Sequence, residues 1–323
     1  MSDSQDARWL TAAAALAERA RPLSRPNPAV GAILVRGGKV VGRGWTQPGG
    51  RPHAEAAALA QAGQAARGST LYVSLEPCAH VSARGPACAD VIAAAGVARV
   101  VIGVGDPDPR TLGTGAAQLR AGGADVVIVD DPGCRASLAG YLMRSGHDRP
   151  EVTLKLALTA DGFVARPDGT SKWITGEPAR AHVHRERARA DAILVGGATL
   201  RTDAPALDVR LPGLAERSPD KLVLTRRTAP AGWAALADPA EIAGRGWQYL
   251  FVEGGARTAA AFLDRDLADR LLIYRSAVEF GDGIAAFREP GPGGVPAGWT
   301  QADSRRLGSD TLEVYHRVDK ERR

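Results

Sequence analysis

Two cysteines, a histidine and a glutamate fall at spacings that can hold and use a metal ion. His53 and Glu55 open the alanine-rich run "HAEAAAL", and Cys78 stops the strand-like run that begins at Tyr72. Cys88 follows ten residues later, shortly after Pro86. A catalytic zinc takes three protein ligands and leaves a fourth position for water, whose pKa it lowers toward neutrality. His53, Cys78 and Cys88 supply three such ligands. Glu55, two residues beyond His53, is placed to take a proton from that water and deliver it to a leaving amine. The plain alternative is two buried cysteines and a helix-capping histidine that meet by coincidence.

Those roles ask for particular backbone positions. His53 must stand at a helix start, Cys78 at a strand end, and Cys88 in the first turn of a second helix. A helix N-terminus carries partial positive charge, which favours the thiolate that a metal needs. The sequence predicts such elements: helix 7–20, a β-hairpin over 29–35 and 40–45, helix 54–66, strand 70–75, helix 86–95 and strand 98–104. A helix near 114–121, a strand at 125–129 and a helix near 134–143 follow. Strands alternating with helices argue for a mostly parallel sheet covered on both faces. The pattern H-x-E followed by P-C-x-x-C belongs to zinc deaminases of nucleobases. His53-Ala54-Glu55 and Pro77-Cys78 fit it, but nine residues separate the cysteines where that pattern has two.

The polar segment "RSGHDRP" (144–150) interrupts the alternation, which divides the chain into domains of residues 1–146 and 147–323. The second half restarts with strand 152–159 and a helix across 178–190, then strands 192–196, 221–225 and 249–255. Helix 256–264 and strands 270–275 and 311–318 complete it. No G-x-G-x-x-G follows any strand, so a Rossmann fingerprint is absent. The local hint of a ligand is "VEGGART" (252–258), a strand running through two glycines into a helix, where backbone N–H groups suit phosphate. His182 and His184 sit two apart on a helix and so face different ways, which places both at the surface or between domains rather than on a metal.

Composition narrows the classes. At 323 residues, 45% hydrophobic and 24% charged, the chain can bury two ordinary cores. No apolar run approaches the roughly 18 residues that span a bilayer, and "MSDSQDARW" lacks the apolar stretch of a signal peptide. A cytoplasmic protein with no membrane partner is the expectation. The first 150 residues hold 16 basic and 12 acidic side chains, scattered, so no nucleic-acid surface is expected. Three cysteines cannot make a disulfide framework without a remainder, and Cys134 reads as structural.

The runs "RPNPAVGAILV", "PHAEAAAL", "YVSLEPCAHVSARGPAC", "ARVVIGVGDPDPRTLGTG" and "LRAGGADV" occur in the order found in one family. Nearly the whole chain resembles the bifunctional riboflavin-biosynthesis deaminase–reductases. The resemblance implies an α/β protein of two domains. The N-terminal one is a cytidine-deaminase-like α/β/α sandwich, and the C-terminal one a dihydrofolate-reductase-like α/β domain. It implies one zinc per chain, a phosphorylated pyrimidine ribosylamine as substrate, NADPH in the second domain, and a homo-oligomer, dimer or tetramer. The first domain then deaminates a 2,5-diaminopyrimidinone, and the second reduces its ribosyl group to ribityl.

Site residues carry over position by position. Asn27 matches a residue that contacts the substrate base, His80 another lining the pocket, and Arg84 a basic residue near the substrate. In "LKLALTADG", "SKWITG", "DAILVGGATLRTDAPALDVR" and "FVEGG", the resemblance makes Ser171, Arg187, Leu207, Arg210 and Glu253 substrate contacts, and Lys155 in the first of these strands is a further candidate near the substrate. It makes Trp173, Thr199, Asp203 and the run Gly255, Ala256, Arg257 and Thr258 cofactor contacts. Arg187 and Arg210 suit the substrate phosphate, which a guanidinium grips with two hydrogen bonds.

The chain departs from the family in three places. It has nine residues between the cysteines where the family usually has eight, and Thr46 where many members have histidine. Only 23 residues separate "KLVLT" from "YLFVEGG", and Thr225-Arg226 replaces the usual Asp-Ser. Three rivals follow: a deaminase whose shortened second domain no longer reduces anything, a nucleic-acid base deaminase, and a non-catalytic regulator.

Overall fold

The computed structural model describes residues 3–81, 84–171 and 174–318. The chain forms two compact units, Met1–Asp148 and Arg149–Arg323.

The first unit runs α1 (Asp3–Ala17), β1 (Gly31–Arg36), β2 (Lys39–Trp45), α2 (Ala54–Ala62), β3 (Thr70–Leu75), α3 (Cys88–Ala94) and β4 (Arg99–Val104). It continues with α4 (Thr114–Ala121), β5 (Asp125–Ile128), α5 (Pro132–Ser137) and α6 (Ala139–His147). Its sheet has the order β2-β1-β3-β4-β5. The sheet is mixed rather than mostly parallel, because β1 runs antiparallel to both β2 and β3 while β3, β4 and β5 are parallel. The hairpin turn uses Gly37 and Gly38, both at positive φ, as a tight two-residue turn requires.

Small residues set how closely the helices sit. A Cβ on Gly31 would meet the Ala13 carbonyl oxygen at 2.0 Å, and one on Gly44 the Ala54 carbonyl oxygen at 2.3 Å. Gly31 and Gly44 point to opposite faces of the sheet, so α1 and α2 pack on opposite sides. Helix 54–66 ends early: α2 gives way at Gly63, which takes φ 52°, to a single 3-10 turn. The last predicted helix is two, α5 and α6, broken at Leu138.

The second unit runs β6 (Glu151–Leu158), β7 (Phe163–Ala165), α7 (Glu177–Arg187), β8 (Ala192–Gly196), α8 (Gly197–Asp203), β9 (Asp220–Leu224) and β10 (Trp233–Leu236). Then come β11 (Tyr249–Glu253), α9 (Ala256–Leu263), β12 (Arg270–Arg275), β13 (Ile284–Ala285), β14 (Trp299–Leu307) and β15 (Asp310–Arg317). Among the described residues the main sheet has eight strands in the order β10-β9-β8-β11-β6-β12-β15-β14. Its first six are parallel, and β15 and β14 close it antiparallel.

The strands bury both faces, so they read as near-continuous apolar runs. Leu194, Leu271 and Ile273 join Phe262 of α9 in one core, whereas Ile193, Val195, Leu272 and Tyr274 join Val183 of α7 in the other. The short segment before β11 keeps a strand, β10, and one 3-10 turn at Pro239–Ile242.

Candidate active sites

In the first unit, three predicted ligands converge. His53 caps α2 with extended backbone, and Cys88 is the first residue of α3. The ligating atoms of His53, Cys78 and Cys88 all lie within 4.8 Å of one another. His53 Nδ1 stands 3.3 Å from Cys88 Sγ and 3.7 Å from Cys78 Sγ. The Cys88 backbone N–H donates to Cys78 Sγ at 3.3 Å, so the α3 N-terminus faces the sulfur.

The electrostatics suit a cation. Sharing a hydrogen bond with Cys88, and then with His53, pulls the Cys78 thiol down to about 4 against the cost of burial. The same bond, with burial, pushes the Cys88 thiol far up. The opposite shifts come from one contact between two adjacent sulfurs, and a divalent cation would stabilise both as thiolates. One imidazole and two thiolates are soft and borderline donors of the kind zinc takes, so the residues fit this metal.

Glu55 is buried beside this cluster, and desolvation raises its carboxyl above the ordinary range against the pull of His53. Burial that lifts a carboxyl toward neutrality makes it a competent proton carrier. Cys134 is fully buried under Gly103 and has no part in the cluster.

A cavity of about 580 Å³ opens over these groups. Asn27, His80 and Arg84 all line it. Asn27 Nδ2 lies 3.2 Å from His53 Nε2, so Asn27 orients a ligand as well as facing the cavity. His80 Nδ1 is 3.5 Å from Thr111 Oγ1, and Arg84 donates to the Gly49 carbonyl at 2.6 Å. Thr46 is buried; its hydroxyl accepts from Val30 N–H and donates to the Pro28 carbonyl, which fixes the loop carrying Asn27. Sequence reasoning missed Arg51, Asp106, Asp108, Arg110, Tyr141 and Arg144, which also line the cavity. The doubled Asp-Pro at the carboxyl end of β4 was the available signal.

The second unit has a cleft of about 830 Å³ at the carboxyl ends of its parallel strands, where such sheets take ligands. Lys155, Ser171, Thr199, Asp203, Leu207, Arg210, Glu253 and the run Gly255–Thr258 line it; so do Arg180, Arg187 and Arg201. Trp173 lies outside the described residues. Lys155 and Glu253 are register partners on β6 and β11. Desolvation works to raise the Glu253 carboxyl, but the cations Lys155 and Arg187 outweigh it and hold it low. Burial lowers Lys155.

Arg187 grips Glu253 at 2.6 and 3.0 Å and donates its other terminal nitrogen to the Asp208 carbonyl at 3.0 Å. The fork expected to meet a phosphate is thus spent on Glu253 and on the segment carrying Leu207. That segment includes Ala204 and Leu207 at φ 40° and 53°, a conformation L-residues seldom adopt. Arg210 stays exposed, 3.6 Å from Asp208.

At the other end of the cleft β8 and α9 meet closely. A Cβ on Gly196 would stand 2.3 Å from Thr258 Oγ1, a cradle that only glycine leaves open. Gly254 and Gly255 lead into α9 beside it, and among the described residues six cations against two carboxylates line the cleft. Such a lining fits a dinucleotide phosphate beside an anionic substrate. His182 is not at the surface: it is buried, 2.8 Å from Tyr274 Oη and 3.1 Å from Arg305. His184 is half-buried and accepts from the Arg210 N–H.

Both halves of the chain have relatives among known proteins. Residues 3–104 match the cytidine and deoxycytidylate deaminase zinc-binding region, and residues 150–238 match the RibD C-terminal domain. The chain is 39% identical over 289 residues to riboflavin biosynthesis protein RibD of Corynebacterium ammoniagenes, covering 84% of this chain and 85% of that protein. It is 34% identical over 319 residues to the RibD of Aquifex aeolicus, covering 87% and 89%. A solved diaminohydroxyphosphoribosylaminopyrimidine deaminase/5-amino-6-(5-phosphoribosylamino)uracil reductase from Thermotoga maritima superposes with a TM-score of 0.86 at 29% identity, over 97% of this chain and 98% of that one. RibD of Acinetobacter baumannii gives 0.85 at 30% identity, over 98% and 99%.

Proposed function

The chain belongs to the RibD family of riboflavin-biosynthesis proteins, and from that premise we propose that its two clefts carry out consecutive steps on one phosphorylated pyrimidine. It is a bifunctional enzyme, a zinc-dependent deaminase and an NADPH-dependent reductase. The first cleft hydrolyses the amino group of 2,5-diamino-6-(5-phosphoribosylamino)pyrimidin-4-one, and the second reduces the ribosyl group of the product to ribityl. The observation that carries the reading is the His53–Cys78–Cys88 cluster set against a buried Glu55.

Zinc on those three residues would supply a water acidic enough to be deprotonated near neutrality. Glu55 takes that proton and delivers it to the departing amino group. Asn27 and His80 hold the pyrimidine, and Arg84 faces its phosphorylated arm. In the second cleft NADPH would supply the hydride. Gly255, Ala256, Arg257 and Thr258 receive its phosphates, with Trp173, Thr199 and Asp203 along its length. Glu253, held by Arg187, faces the substrate with Lys155, Ser171 and Leu207, while Arg210 takes the phosphate.

We place the deaminase in residues 1–146 and the reductase in 147–323, a division supported by the break between the units at Asp148. The same reading makes the enzyme a cytoplasmic homo-oligomer, dimer or tetramer, with no nucleic-acid or membrane partner. No helix among the described residues is long and apolar enough to cross a membrane.

Chelation tests the assignment. Protein stripped of metal is expected to lose deamination, regain it on adding zinc, and keep its reduction of the deaminated substrate throughout. Deamination that persists without metal would overturn it.

A further inference from the structure

Glu76 stands between β3 and Cys78 and faces the first cavity, yet its carboxylate is spent on backbone. Its Oε2 accepts from the Asp106 N–H at 3.3 Å and the Gly113 N–H at 3.1 Å, and its Oε1 from the Ala116 N–H at 2.9 Å. Its own N–H donates to the Val104 carbonyl at 2.8 Å. Residues 106–113 form the loop between β4 and α4, so one carboxylate oxygen closes both of its ends. The other oxygen meets the first turn of α4, where negative charge is favoured.

The loop forms one wall of the cavity. Asp106, Pro107, Asp108, Pro109 and Arg110 all line the same space as His53 and Glu55. Within it, Tyr141 Oη donates to Asp106 Oδ1 at 2.7 Å, and Arg110 is paired with Asp108. Two close approaches lock the clasp. Gly113 takes φ 71°, and a Cβ on Gly115 would lie 2.1 Å from the Pro77 carbonyl oxygen. Glu76 is only 3% exposed, so without its carboxylate three backbone donors would lose their partner where water hardly reaches.

We infer that Glu76 is the positioning residue of the deaminase cleft, clasping the 106–113 loop so that its polar side chains meet the substrate. It neither touches substrate nor carries a proton in the reaction. This inference rests on the deaminase reading above. It predicts a defect in binding rather than in chemistry, because the loop is displaced while zinc ligands and Glu55 stay.

The test is Glu76→Gln in the full chain, with Glu76→Asp, which keeps the charge but not the reach, if the glutamine variant does not fold. Three quantities are measured: zinc content, deaminase kinetics on the phosphorylated diaminopyrimidinone, and amide hydrogen exchange at Gly113 and Ala116. KM should rise about tenfold, the worth of one lost charge-assisted hydrogen bond, with kcat changed by less than about threefold. Zinc content and reductase turnover should hold, and exchange at Gly113 or Ala116 should quicken. An unchanged KM despite faster exchange would overturn the inference, as would loss of zinc with a fall in kcat alone, which would mean that Glu76 acts through Cys78. A wild-type protein that does not deaminate would overturn the functional reading instead, and the exchange rates would still decide whether the clasp exists.

Discussion

Glu55 separates holding a metal from using it. It is not one of the three ligands, and its raised carboxyl has a local cause in its own burial beside His53 and the cysteines. Glu55→Gln keeps the shape and removes the proton carrier. It should lower deaminase kcat by about 10²–10⁴-fold with zinc content and reductase turnover intact; a variant that still deaminates would assign the proton elsewhere. The ligands themselves were legible in the sequence because each type sits at the element end its chemistry needs. Arg187 was not legible in the same way. Its family role pointed to phosphate, but its partner Glu253 comes from β11, 66 residues away, and only the assembled sheet brings the two together. His182 failed for the same reason, since Tyr274 on β12 buries it.

Elements carry these residues, and small side chains decide where the elements lie. Gly42 and Gly44 of β2 face α2 so closely that a Cβ on either would strike a helix carbonyl, of Ala58 or of Ala54. Since α2 begins beside His53 and contains Glu55, Gly44→Ala should cost about 1–3 kcal/mol and weaken zinc retention and deamination while sparing reduction. Equal loss of both activities would contradict this. On the other face, Asp6 of α1 is tied to β4 by Arg99 at 2.8 and 2.9 Å and accepts from Tyr72 Oη at 3.0 Å.

The Arg99 hydrogen bonds hold the Asp6 carboxyl below its ordinary range. A depressed carboxyl stabilises the fold above its unfolded pKa, and that contribution fades as pH falls through the folded pKa. Asp6→Asn should therefore cost about 2 kcal/mol near neutrality, and the gap from wild type should close below about pH 4. Denaturant melts across that range check it; a gap constant with pH would count against the ion pair. Amphipathic and buried elements were readable from pattern, but β14, "WTQADSRRL", is an edge strand exposed over most of its length and offers no apolar alternation. The four-residue β10 is too short for its pattern to speak.

The whole molecule joins two α/β units whose clefts differ in kind. One is built around sulfur, imidazole and a buried carboxyl, the other around glycines and cations at the ends of parallel strands. The rival of a shortened, inactive second unit drew on the 23 residues before β11. Those residues keep β10 in the sheet beside β9, so the parallel platform under the cleft extends to its edge. The match of residues 150–238 to the RibD C-terminal domain covers that strand.

The measurement that bears most directly on the account is the mass of the products. Zinc-replete protein is incubated with the phosphorylated diaminopyrimidinone ribosylamine in two tubes, one with NADPH and one without. The account predicts a product with one amino group exchanged for oxygen in both, and the further gain of two hydrogens only where NADPH is present. Deamination alone in both tubes would contradict the second activity, and unchanged substrate in both would contradict the reading of Cys78 and its neighbours as a site for this chemistry.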